Sequence, residues 1–309
     1  MKIRYFILCL CFTGLLPVIG VFGQRPNPEI LDFNRPEAWA SKYFTSTSIL
    51  SSYSPPTIKE SGGLDLDLEI IDIPELGDSY RRVGFNGTKL EDLNKSPIFV
   101  RPLFTYYFKP KISLTLSYAP PIEVWDVTPH IFSGSVNWTF INSDPWRFGL
   151  RFYGQVGTVE GAFTCPLEDV AGGDDPLLNP FGCTAVSNDT AHLNYYGVEF
   201  SGAYQMKKFN GLTTFFALGV NHQLNEFDIN STLFGEPDIR TQKSNGNVFN
   251  LSGGLLYPLT DKIELAVQVF YAPLDVIRFG KSVPENDSLV NVRFSLSYSL
   301  DNLGKWFKK

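Results

Sequence analysis

The sequence predicts an all-β fold, an antiparallel transmembrane β-barrel of the up-and-down type, and three observations carry that prediction. Apolar and polar residues alternate strictly, as in Val290, Val292, Phe294, Leu296, Tyr298 and Leu300 set against Asn291, Arg293, Ser295, Ser297 and Ser299. That is the period of a strand with one face in oil and one in water. Connections between such segments alternate between about three to five residues and roughly eight to thirty-five, the asymmetry of short periplasmic turns and long external loops. Aromatic residues gather beside the short turns and the chain end: Phe108, Trp138, Phe140, Trp146, Phe148, Tyr204, Phe209, Tyr257 and Tyr298. A membrane interface requires such a girdle, whereas a soluble sandwich has no reason to collect rings at one end of every hairpin.

The first 23 residues read as a cleaved secretory signal. Lys2 and Arg4 precede an apolar run from Tyr5 to Phe22, and Val21-Phe22-Gly23 fits a cleavage site before Gln24. Pro17 and two glycines weaken the same run as a membrane anchor. Losing Lys2 and Arg4 takes the formal charge from −6 to −8, which argues against a nucleic-acid partner. Mean hydropathy is −0.05, yet no later apolar run reaches the roughly 18 residues of a membrane helix. A helical membrane protein is thereby excluded, and the membrane must be met by strands.

Residues 24–38, with Pro26, Pro28 and Pro36, form an extended lead-in, and the barrel is expected over 39–300. Trp39 to Tyr53 is rich in Ser and Thr and reads as an irregular strand. Leu64 to Ile70 alternates strictly and carries three carboxylates on its polar face. Residues 74–97 lack either period and form a polar loop. Hairpins then follow over 98–119, 131–156, 193–224 and 248–272, turning at Lys109-Pro110-Lys111, residues 141–145, residues 207–211 and Thr260-Asp261-Lys262. Polar insertions separate them at 158–192 and 228–247, and the strand at 288–300 closes the set. Eleven segments emerge where an even number is required, so about twelve strands are expected, with ten as the alternative. Ten results if 39–53 is a periplasmic extension, and a further possibility is that 74–97 threads the lumen as a plug.

The inward parity of the strands is charged. Asp65, Asp67 and Glu69 precede Arg101; Arg147 and Arg151 precede Glu199; Glu264 precedes Arg293. Opposite signs on neighbouring strands form either an ion-pair network filling a narrow lumen or a charged constriction that selects solutes. Arg293 is expected to face Glu264. Cys165 and Cys183, the two cysteines after the signal, share one external loop in an oxidising compartment and are expected to form a disulfide. Gly172-Gly173-Asp174-Asp175 has the composition of a calcium turn, but acidic turns without an ion are commoner, and no metal or cofactor is expected. His130, His192 and His222 are scattered, with no Ser, Asp or second His at a spacing that builds a nucleophile, so no catalytic residue is expected.

Signal, strands and girdles together resemble bacterial outer-membrane β-barrel proteins over nearly the whole mature chain. Arg35-Pro36-Glu37-Ala38-Trp39-Ala40, residues Val83 to Lys89 and Asn179-Pro180-Phe181-Gly182-Cys183 look like segments of an uncharacterised subgroup of them. The resemblance implies an outer-membrane location, with outer-membrane lipid, lipopolysaccharide and the barrel assembly machinery as partners. Many such barrels end on an aromatic residue, whereas here a tail from Asp301 to Lys309 follows, with Trp306 and Phe307 short of the end. The expected function is passive passage of a small solute. The alternative is a structural or surface-interaction barrel with a plugged lumen, and an outer-membrane hydrolase stands third.

Overall fold

A computed structural model describes residues 27–51, 53–209 and 211–300. The signal expected at 1–23 and the tail at 301–309 lie outside the described residues. Ten antiparallel strands close a barrel: β1 (Leu64–Asp72), β2 (Ile98–Lys109), β3 (Ile112–Ala119), β4 (Val127–Ser143), β5 (Trp146–Gly161), β6 (Asp189–Met206), β7 (Leu212–Leu233), β8 (Glu236–Pro258), β9 (Ile263–Ala272) and β10 (Leu289–Leu300). Closure is made by β10 and β1, paired from Arg293 opposite Ile71 to Leu300 opposite Leu64. Ten is the smaller of the two expected counts.

The alternation works as a filter between two solvents. Inward positions are small and polar, among them Thr115, Ser133, Gln155, Asn221 and Gln268, and they are buried. Outward positions such as Phe104, Phe132, Phe152, Leu218 and Phe249 are large, apolar and exposed. A surface of this kind is stable only where hydrocarbon, not water, bathes it. At the short-turn end Trp146 stacks on Phe148 (6.0 Å) and meets Tyr204 edge-on (4.8 Å). Farther up the wall, Tyr118 packs on His130 and Tyr196 on His222, so these two histidines stand on the outer face beside interfacial rings. Leu218→Arg, in the middle of this belt, is expected to cost about 2–4 kcal/mol in vesicles, read by denaturant unfolding. The same exposed substitution on a soluble sheet would cost close to nothing.

Two insertions are shorter than the alternation implied. β5 continues to Gly161 and β6 begins at Asp189, while β7 and β8 run on to a tight turn at Phe234 (φ 52°) and Gly235 (φ 81°). Residues 228–247 thus extend the β7–β8 hairpin, with Ile229 and Ser231 buried on one face.

The segment expected as a strand at Trp39 to Tyr53 is instead a helix, α1 (Pro36–Thr47), followed by an irregular run, and it lies inside the barrel. Pro36 opens the helix with its φ already set and no N–H to lose, and Glu37 sits in the first turn where the dipole favours a carboxylate. Ala38, Trp39, Ala40, Ser41, Lys42 and Tyr43 are all buried, so the helix has no solvent stripe and shows no period of 3.6. The lead-in enters from the long-loop end. Glu29 and Ile30 pair in parallel with Gln242 and Lys243 on the edge of β8 that β9 is too short to cover. Phe33 lies so close over Gly246 that a Cβ there would fall 2.2 Å from its ring.

Candidate functional site

From α1 the chain descends through the lumen, and the inward charges of the wall hold it there. Arg101 donates to Ser48 O (2.7 Å) and Ile49 O (3.2 Å), and its Nε pairs with Glu69 at 2.6 Å. Arg293 donates to Ile49 O (2.8 Å) and Ser51 O (3.3 Å) and lies 4.0 Å over the Phe270 ring. Arg151 pairs with Glu199 (2.8 Å), donates to Ser54 O (2.9 Å) and stacks over Tyr53. Ser51 Oγ donates to Glu199, and Leu50 N donates to Tyr195 Oη (2.7 Å). An irregular backbone has no ladder to satisfy its carbonyls, and three fixed guanidinium forks satisfy them instead.

Below this layer Lys59 bonds both carboxylate oxygens of Asp65 (2.9 and 2.8 Å), and Tyr107 Oη donates to Asp65. Gly62 (φ +88°) then reverses the chain at the short-turn rim into β1. Asp67 and Glu264 face a polar recess of about 50 Å³ beside this reversal, room for water rather than for a ligand. Arg147 stands opposite Ala203 on the same rim.

The expected pairs Glu69–Arg101 and Arg151–Glu199 are therefore present, and they share a lattice with the plug. Arg293 does not face Glu264, because the β9–β10 register sets Gln268 against Arg293 and Glu264 against Ser297, nearer the rim. The plug is 36–57 rather than 74–97. No alternation could reveal it, because α1 is buried all round and the run that follows it is irregular. Residues 74–97 instead roof the long-loop end, where Tyr43 Oη donates to Pro74 O (2.8 Å) and Trp39 Nε1 to Asp287 O (3.1 Å).

Cys165 and Cys183 form the expected disulfide, and both are buried. Asp189 Oδ2 gathers Phe163 N, Thr164 N and Ser187 Oγ beneath it. The loop interlocks with the roof through stacked Phe85 and Phe181 (5.5 Å) and through Lys89, which donates to Thr164 O and pairs with Glu91 at 2.6 Å. Burial pushes the Glu91 carboxyl up to about 8, and the Lys89 ammonium opposes this without cancelling it. Between its ordinary 4.5 and about 8 the folded roof holds a proton that the unfolded chain has lost. Roof stability is then expected to fall as pH rises through that window. Hydrogen exchange over 82–91, corrected for intrinsic rates, should show protection declining from pH 5 to pH 9, and Glu91→Gln should flatten the decline.

Asp175 Oδ1 accepts Leu177 N, so this acid of the Gly172-Gly173-Asp174-Asp175 turn is committed to backbone. His192, Glu226 and Asp228 bring ligand atoms within 4.8 Å of one another. His192 Nε2 is 3.3 Å from Asp228, a proximity created by the β6–β7 register and invisible in the spacing. Lys243 pairs with Glu226 (2.9 Å) and Thr241 donates to Asp228 (2.6 Å), so each carboxylate of the cluster already has a partner.

The solved structures that resemble this chain are bacterial outer-membrane β-barrel proteins. The translocator domain of the autotransporter NalP from Neisseria meningitidis is 9% identical, with a TM-score of 0.39, over 78% of this chain and 89% of its own. The outer-membrane protease OmpT from Escherichia coli is 10% identical, with a TM-score of 0.34, over 82% and 100%. The attachment invasion locus protein Ail of Yersinia pestis is 12% identical, with a TM-score of 0.27, over 78% and 99%. No protein-family model and no curated protein matches the sequence. The barrel rests on its own closed ladder, and the attachment, translocation and proteolysis those names carry belong to those proteins.

Proposed function

We propose that the chain is an outer-membrane barrel closed by its own N-terminal segment, working through its extracellular mouth as a surface-interaction protein and not as an open pore or an enzyme. The observation that carries this reading is the set of guanidinium bonds from Arg101, Arg151 and Arg293 to five plug carbonyl contacts, at 2.7 to 3.3 Å. A permeating solute would have to break this buried network of paired charges, which costs several kcal/mol. The plugged barrel stands in place of a passive channel, with the long loops outside and the short turns in the periplasm. The disulfide-clipped loop, the roof and the long β7–β8 hairpin form the mouth that a partner would meet. Liposome swelling with arabinose tests it. Swelling no faster than in protein-free liposomes is expected, and porin-like swelling would overturn the proposal.

A further inference from the structure

The barrel wall is also incomplete above β3. The β2–β3 ladder runs up only to Leu103 opposite Ser117, and the β3–β4 ladder only to Ala119 opposite Ile131. Above those pairs, residues 98–102 of β2 and 127–130 of β4 have no strand paired between them among the described residues, although each is held on its other side by β1 or β5. Pro102 and Pro129, which have no N–H to give, stand on the two facing segments, as proline does on strands that end a sheet. Behind the gap lies a cavity of about 280 Å³.

Its lining shows that it crosses the wall. Arg101 and Leu103 point inward and are buried, so Phe99 points inward while Ile98 and Val100 point outward. All three line the cavity, which a pocket on one side of a continuous sheet cannot achieve. Ile131, Val159 and Leu193 supply its inner wall, and Trp125 of the connecting loop covers it. The few polar side chains around it are already engaged: Thr47 bonds Phe44 O, Ser48 bonds Thr45 O, Ser96 bonds Ile98 O, and Lys95 pairs with Asp92. Nothing in the lining asks for a charged or hydrogen-bonding guest. Val100 stands eight residues above Phe108 of the girdle, about 20 Å for tilted strands, and so inside the apolar band of about 25 Å.

We infer that this cavity is a binding site for a free, uncharged, hydrocarbon-like small molecule that reaches it sideways, through the gap between β2 and β4. A 150 Å³ apolar cavity accepts benzene, so this one suits about ten to twelve carbon atoms. The site does not depend on the lumen being closed, since it opens through the wall.

The test is photo-cross-linking of the full chain in phospholipid vesicles with a ten-carbon alcohol carrying a diazirine, mapped by peptide mass spectrometry. Label is expected on the peptides of Phe99, Trp125 and Ile131, competed by excess decane. It should fall at least tenfold in Leu193→Trp or Val159→Phe, which fill the cavity, while label on Phe152 of the lipid-facing belt persists. Retained heat-dependent gel mobility shows that each variant is folded, and two variants guard against one failing to assemble. Label confined to the outer belt, or unmoved by a folded cavity-filling variant, would overturn the inference. So would label at the cavity only from a phospholipid bearing the diazirine in its acyl chain, because the occupant would then be a membrane lipid tail.

Discussion

Arg101→Ala is expected to destabilise the folded barrel by about 3–5 kcal/mol and to loosen the plug. Arg101 is fully buried, and its guanidinium serves the Glu69 carboxylate and two plug carbonyls at once. Truncation leaves a buried anion without its partner and two acceptors without a donor, and the desolvation already spent on those groups is not recovered. Arg101→Lys should recover only part of the loss, since one ammonium cannot span Glu69 and two successive carbonyls as a planar fork does. The double variant Arg101→Ala/Glu69→Ala, which removes the stranded charge, should be more stable than Arg101→Ala alone. The midpoint of the heat-dependent gel shift orders the four proteins, and an Arg101→Ala midpoint equal to wild type would contradict the account.

Trp39→Ala is expected to cost about 3–5 kcal/mol as a large core truncation, with the damage confined to the long-loop end. The Trp39 side chain is wholly buried, stacks on Tyr43 at 5.5 Å, carries Arg278 over its ring at 4.7 Å and donates to Asp287 O. It ties α1 to the 273–288 loop, as Tyr43 ties it to the start of the roof. Its loss should raise hydrogen exchange in α1, in 74–97 and in 273–288 while leaving the β6–β7 ladder protected. Uniform loss of protection would show instead that the plug and wall fold as one unit.

Alternation made the wall legible, because each strand separates two solvents and must say so at every residue. Leu64–Asp72, Ile112–Ala119 and Leu289–Leu300 lie within a residue or two of where the pattern puts them. The same logic hid the plug. Trp39 and Lys42 are surrounded on every side, so α1 faces one environment only and has no periodicity to display. Ion pairs between adjacent strands, such as Glu69 with Arg101, could be read from parity. The third bonds of those arginines could not, because they go to backbone carbonyls of Ser48, Ile49, Ser51 and Ser54, which every residue possesses. Likewise the gap above β3 follows from strand lengths that differ between neighbours, and only Pro102 and Pro129 mark it in the sequence.

Planar-bilayer conductance tests the central claim, closure of the lumen by residues 36–57, most directly. The full-length protein should insert without steady conductance, and the same chain lacking residues 27–57 should give stable, discrete current steps while keeping its heat-dependent gel shift. Steady conductance from the full-length protein, equal to that of the shortened one, would contradict the account.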